Sequence, residues 1–394
     1  RRHNRAGPAA TNLPIGSGAA PPPGACCWRC TRFAWMPPMR ALNVSPLDSL
    51  CPGSKCIDWN DARQRMGKDK AMGKTMERPL ASPMTWAAET MFENDGLIEL
   101  DGDCIAELEA AAAIIEANPL PAEALTPRDF EMPACQAAMA RVHEQIYHSV
   151  GFAIIDRLPV DRLNNETATK LYWLLMSMIS RPVAQKWDGT MLYDIVDTGQ
   201  KALAGNGVRS SKTNGGQGYH TDNAFNLPPD FVALFCLQTA KEGGISGLVS
   251  FETVYNLLLN EYPDVLPRLY EPFFFDRQLE HAPDDERLSF KPVFESDGKR
   301  LFANFSPRLV AQGYDVRDEE MDAKGREAIE ALVEVSERTG LGKIFGFQRG
   351  QIQIVNNKQL GHRRTAYQDW SEHERRRHLV RIWLREAGRP FYLG

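Results

Sequence analysis

His220 and Asp222 carry the first chemical signal in the chain, one residue apart in Tyr219-His220-Thr221-Asp222-Asn223. In an extended segment, residues i and i+2 project to one face, so an imidazole and a carboxylate stand together there. Such a pair can grip one divalent metal. A second histidine from elsewhere would complete the two-histidine, one-carboxylate set that suits non-haem Fe(II) with positions left open. His362 is the candidate, following the alternating run Gln351-Ile352-Gln353-Ile354-Val355 across a turn-like stretch from Asn356 to Gly361. Its distance in sequence from Asp222 is no obstacle, because the two strands need only be sheet neighbours. Taken singly, these signals are weak: H-x-D motifs mostly arise by chance, a histidine near a C-terminal strand is usually structural, and an arginine cluster usually a solvated face.

The elements that must position these residues follow from periodicity. An Ala-, Glu- and Ile-rich helix is expected over Asp103–Asn118, stopping before Pro119, and another over 129–150 with Met139, Val142, Ile146 and Val150 on one face. His143 and His148 lie on that second helix and read as surface histidines. A strand over 151–155 and a helix marked by Leu171, Leu174, Leu175 and Met178 come next. The second half is richer in strands: 231–237 and 247–251 around the turn Lys241-Glu242-Gly243-Gly244, then 272–276, 300–305, 343–347 and 351–355. Helices are expected over 252–260 and, as one long charged element, over 318–339. Short strands with helices gathered before and between them suggest an α+β domain built on a sandwich or barrel.

Composition narrows the function. The 394 residues carry ordinary hydrophobic (43%) and charged (25%) fractions and a net charge of −5, which argues against nucleic acid or an anionic membrane as partner. No apolar run approaches membrane-spanning length. Residues 1–80 read as a disordered or non-native leader, since Pro, Gly, Ala and Arg abound and no acidic residue precedes Asp48. Met76 is the expected native start, and the globular domain is expected from 83 to 394. Cys27-x-x-Cys30 and Cys51-x4-Cys56 could bind zinc, but their flanks lack the strand and turn pattern of a zinc ribbon. A transit peptide is also disfavoured, because Pro21-Pro22-Pro23 is hostile to the helix it needs. Few cysteines elsewhere fit a reduced, cytoplasmic protein.

In order and spacing, His220-x-Asp222, Ser246, His362 and the strand Arg376-Arg377-His378-Leu379-Val380-Arg381-Ile382-Trp383-Leu384 resemble the taurine dioxygenase (TauD/TfdA) and clavaminate-synthase-like branch of the Fe(II)/2-oxoglutarate oxygenases. The resemblance spans about residues 90–390. It implies a distorted double-stranded β-helix (jelly roll) core with flanking helices, and Fe(2+), 2-oxoglutarate and O2 as cofactor, co-substrate and oxidant. The metal would be held by His220, Asp222 and His362. The far carboxylate of 2-oxoglutarate would be held by Ser246 and by Arg377, since a planar guanidinium binds a carboxylate through paired hydrogen bonds. Arg376 is the alternative, but the step from Arg377 to Arg381 matches the family's paired arginines. Arg381 would support the co-substrate or meet an anionic group of the substrate.

The implied reaction is hydroxylation of an unactivated C–H bond in a small acid or amino-acid-like molecule, with release of succinate and CO2. Halogenating members lack the carboxylate, so Asp222 favours hydroxylation, or desaturation or cyclisation on the same iron. Readings of another class are a non-catalytic 2-oxoglutarate- and metal-binding module, and a zinc hydrolase that would have no use for Arg377 and Ser246. Tyr219, Asn223 and Arg308 are candidate substrate residues, each equally explicable as a strand, turn or surface residue. A small-molecule partner is expected, and a homo-oligomer is compatible with the family.

Overall fold

The computed structural model describes residues 75–201, 207–282 and 284–393. The cysteine pairs of the leader lie outside the described residues. All described residues fall within the compact unit Arg63–Gly394, and no helix among them is long and apolar enough to cross a membrane.

Eleven strands matter for the site: β1 (Leu97–Glu99), β2 (Phe152–Asp156), β3 (Arg181–Val183), β4 (Tyr193–Ile195), β5 (Gln217–His220), β6 (Phe231–Gln238), β7 (Ser246–Ser250), β8 (Lys343–Phe345), β9 (Ile352–Asn356), β10 (Leu360–Arg364) and β11 (His378–Arg385). Seven of them form a large sheet in the order β1-β2-β9-β6-β11-β3, with β4 also paired to β11. The other four form a smaller sheet, β8-β7-β10-β5. Helices α1 (Gly102–Ala117), α2 (Pro133–His148), α3 (Asn165–Ile179), α4 (Phe251–Glu261), α5 (Pro307–Arg317) and α6 (Ala323–Ser336) complete a mixed α/β fold.

Strand alternation explains how the large sheet serves two purposes. On β11, Val380, Ile382 and Leu384 join Ile352, Ile354 and Phe235 in a core with Val142, Ile146, Leu171 and Leu175 of the helices. Each such side chain contributes about 1.5–3 kcal/mol by leaving water. The intervening residues Leu379, Arg381 and Trp383 face the other way and line a cavity. Against this inner face stands the small sheet: Leu248 and Leu360 pack with Phe152, Val232, Val355 and Trp383 of the large one. A second core gathers around α4 and α6 with Phe273, Phe275 and Phe294.

The helix starts obey local rules. Asp101 accepts the Cys104 N–H to cap α1, Asn164 accepts the Thr167 N–H to cap α3, and Pro133 opens α2, where the Glu107 carboxylate takes the Ala134 and Cys135 N–H groups. Residues just before 83 are also engaged, because Tyr255 donates to the Met76 carbonyl and Asn256 exchanges hydrogen bonds with the Leu80 backbone.

Two expected elements differ. The helix expected over 318–339 is the shorter α6, which Asp322 caps by accepting the Gly325 N–H, and a helix not expected from sequence, α5, precedes it and is ended by Asp318 at φ 56°. The expected turn over 241–244 contains a short paired strand, Glu242–Gly243 with Tyr367–Gln368.

Candidate metal centre and ligand cavity

His220 and His362 meet because they are direct partners in the β5–β10 ladder, which sets their ring centroids 4.4 Å apart. The turn-like stretch before His362 is itself the tight connection from β9 into β10. Asp222 arrives differently from the expected strand alternation: β5 ends at His220, and Asp222 sits in the turn that follows, with Asn223 at φ 56°. Asn357 fixes that turn, accepting the Asp222 N–H at 2.7 Å and donating to the Asp222 carbonyl at 3.0 Å. One ligand atom from each of His220, Asp222 and His362 lies within 4.8 Å of the others.

The two carboxylate oxygens of Asp222 have separate partners. Oδ1 faces both imidazoles, 3.8 Å from His220 Nε2 and 3.6 Å from His362 Nε2. Oδ2 accepts from Arg381 Nη1 at 2.9 Å and Trp383 Nε1 at 2.8 Å. Burial would raise the Asp222 pKa, but Arg381, with His362 and His220, holds it far below the ordinary carboxylate range. The His220 pKa is pushed down to about 4, by burial first and then by His362, against the pull of Asp222. His220 is thus a neutral donor at pH 7. Its Nδ1 donates to the Gly218 carbonyl at 3.0 Å, which leaves Nε2 with its lone pair toward Asp222. Two imidazoles and an ionised carboxylate make a donor set that fits a divalent transition metal.

The other sequence candidates sort clearly. Arg377 is buried, whereas Arg376 is exposed and donates to the Trp370 and Ser371 carbonyls. Ser246 is buried and donates to Gln353 Oε1 at 2.8 Å, a bond that crosses from the small sheet to the large. Arg381 is engaged by Asp222 and, through Nε, by Gln185 Oε1 at 2.7 Å. A cavity of about 210 Å³ is bordered by the metal-ligating candidates, by Ser246 and Arg377, and by an apolar wall that includes Ile195, Leu234, Phe347 and Leu379.

Tyr219 and Asn223 border the same cavity, but the Tyr219 ring packs in the second core under Arg363, 4.9 Å from its guanidinium, and Asn223 donates to the Leu227 carbonyl. Arg308 also borders it, donating to the side-chain Oε1 atoms of Gln312 and Gln278. Trp383, Gln185 and Asn357 were not singled out from sequence. Trp383 was in principle visible, since its i+2 spacing from Arg381 puts both on one face of β11; nothing marks Gln185 or Asn357.

Three comparisons with known proteins bear on this site. The sequence model of the taurine catabolism dioxygenase TauD, TfdA family matches residues 116–383. The chain is 26% identical over 325 residues to FR-33289 synthase of Streptomyces rubellomurinus, covering 81% of this chain and 94% of that protein. It is 27% identical over 314 residues to the taurine hydroxylase-like protein SAT17 of Stachybotrys chartarum, covering 77% and 79%. Among solved structures, asparagine oxygenase in complex with Fe(II), 3-hydroxyasparagine and succinate superposes with a TM-score of 0.54 at 18% identity, over 73% of this chain and 93% of that one. The non-heme iron oxygenase OrfP with Fe and alpha-ketoglutaric acid gives 0.54 at 16% identity, over 74% and 94%. These two share the fold.

Proposed function

The chain belongs to the taurine catabolism dioxygenase TauD, TfdA family, and from that premise we propose that it is an Fe(II)- and 2-oxoglutarate-dependent dioxygenase that hydroxylates a C–H bond of a small acid or amino-acid-like substrate. The two facing sheets are read as the distorted double-stranded β-helix of that family. The balanced reaction takes substrate, 2-oxoglutarate and O2 to hydroxylated substrate, succinate and CO2, one oxygen atom entering each organic product.

One observation carries the reading: Asp222 Oδ1 is left to the two histidines while Oδ2 is held by Arg381 and Trp383. A carboxylate fixed this way offers one oxygen to a metal, so three protein atoms are supplied and the remaining positions stay open. Bound Fe(II) would supply O2 activation coupled to decarboxylation of the keto acid. The protein's part is positional. Arg377 stands just ahead of β11, four residues before Arg381. Arg377, Ser246 and the metal-ligating candidates border one cavity, where a five-carbon dicarboxylate would set its keto acid end at the metal and its far carboxylate at Arg377 and Ser246, its methylenes against Leu379 and Leu234. Arg381 neutralises Asp222 and is a positioning residue; its second part, toward the co-substrate, falls to Nη2, which has no partner. Arg308, Tyr219 and Asn223 are assigned to the substrate side.

The molecules bound in two solved structures of this fold, 3-hydroxyasparagine in asparagine oxygenase and (3S)-hydroxy-L-Arg in OrfP, support an amino-acid-like molecule here. The test is anaerobic titration of the protein with Fe(II) and 2-oxoglutarate, followed by admission of O2 and succinate measurement over a panel of small acids and amino acids. A visible charge-transfer band, lost in His220→Ala together with succinate formation, is the expected result. Succinate release by the variant at the wild-type rate would overturn the metal assignment.

A further inference from the structure

Arg364 has no role in the scheme above, yet it lies two residues beyond His362 on β10 and is the direct ladder partner of Ser246 on β7. Paired residues of neighbouring strands share a face, so the Arg364 and Ser246 side chains leave the sheet together. Arg377, just ahead of β11, reaches the same place: its Nε would be 3.1 Å from a Cβ placed on Gly244. The two guanidiniums share one aromatic ring, with Arg364 4.9 Å and Arg377 5.0 Å from the centroid of Tyr367.

Both arginines are buried, at 7% and 5% exposure. Arg364 spends Nη2 on the carbonyls of Thr213 and Gly215. Its Nε and Nη1 have no partner, nor does Arg377 Nη1. Neither guanidinium makes an ion pair among the described residues. Two like charges with unpaired donors in a buried setting are costly until an anion joins them.

We infer that Arg364 is a second cation for the distal carboxylate of the co-substrate, acting beside Arg377. The inference rests on the 2-oxoglutarate reading of the cavity. It makes recognition of that carboxylate a two-arginine device, with Ser246 on the strand next to Arg364.

The experiment compares two keto acids on the anaerobic Fe(II)-loaded protein: 2-oxoglutarate, and 2-oxovalerate, which chelates equally but ends in a methyl group. Wild type prefers 2-oxoglutarate. In Arg364→Gln, affinity for 2-oxoglutarate falls about tenfold or more while that for 2-oxovalerate is unchanged, as expected for loss of a charge-assisted contact. If both affinities fall equally, or neither falls, Arg364 merely anchors the Thr213–Gly215 segment and the inference is overturned. Arg377→Gln separates this from failure of the underlying reading: if that variant keeps the full wild-type preference, the cavity does not hold the distal carboxylate there at all. Should Arg364→Gln not fold, Arg364→Lys carries the test, with a preference reduced at least threefold expected and an unchanged preference overturning the inference.

Discussion

At the scale of single residues, the site works by giving the two oxygens of one carboxylate different duties. Trp383 Nε1 is half of what holds Asp222 Oδ2, and loss of such an outer partner typically weakens metal affinity 10–100-fold. Trp383→Phe keeps the ring and removes the donor, so a loss of about that size in Co(II) or Fe(II) affinity is expected by metal titration; wild-type affinity would show the indole N–H to be irrelevant. His220 gives a pH prediction. Its pKa is lowered to about 4 from an ordinary 6.5, so below pH 6.5 the unfolded chain binds a proton that the folded chain refuses. The metal-free protein should therefore lose stability as pH falls from 6.5 toward 4, and His220→Gln should flatten that slope in denaturant unfolding. The grouping of His220, Asp222 and His362 was legible in sequence because their order and spacing relative to Ser246, Arg377 and Arg381 resemble one family's pattern, although each signal alone is weak. Trp383 was visible only as a neighbour of Arg381 on one strand face; its role was not, because a tryptophan in an apolar strand looks the same whether its N–H meets a carboxylate or only fills the core.

At the scale of elements, β10 and α5 show where sequence patterning stops informing. Alternation found β9, and the resemblance marked the strand over 376–384 that is β11, but β10 reads Leu360-Gly361-His362-Arg363-Arg364, a polar run whose extended form comes from pairing with β5 and β7 on both sides. Helix α5 was hidden by Gly313, a poor helix former. The structure gives that glycine a reason: a Cβ there would be 2.4 Å from the Phe274 carbonyl oxygen, so α5 can lie on the strand Pro272–Asp276 only if position 313 is bare. Gly313→Ala, which helix propensity alone would call stabilising, should instead cost about 1–3 kcal/mol by overpacking, read as a lower midpoint in thermal or denaturant unfolding. An unchanged or higher midpoint would mean that α5 can lift away freely.

At the scale of the whole molecule, the candidate centre is built from both sheets: the histidines and Ser246 come from the small one, Arg381 and Trp383 from the large one, and Arg377 from the residue just ahead of β11. A metal bound there adds to what joins the sheets, and at a hundredfold excess over Kd it stabilises the folded state by about 2.7 kcal/mol. Mn(II) should then raise the melting temperature by about 5–11 °C, at 2–4 °C per kcal/mol, and Asp222→Ala should abolish the shift while its own metal-free melting point also changes, since Arg381 loses its counter-charge.

The hydrogen bond between Ser246 and Gln353 leads to one more event. Serine has a single proton, and here it goes to Gln353 Oε1, while the Gln353 amide nitrogen has no acceptor. An incoming carboxylate can only accept. For Ser246 to donate to it, the hydroxyl must swing away and the amide must turn over, so that its idle nitrogen donates to the serine oxygen. Capture of the co-substrate would thus throw a small toggle between the sheets, and Gln353→Glu, ionised and unable to donate, would jam it in the position that refuses the ligand.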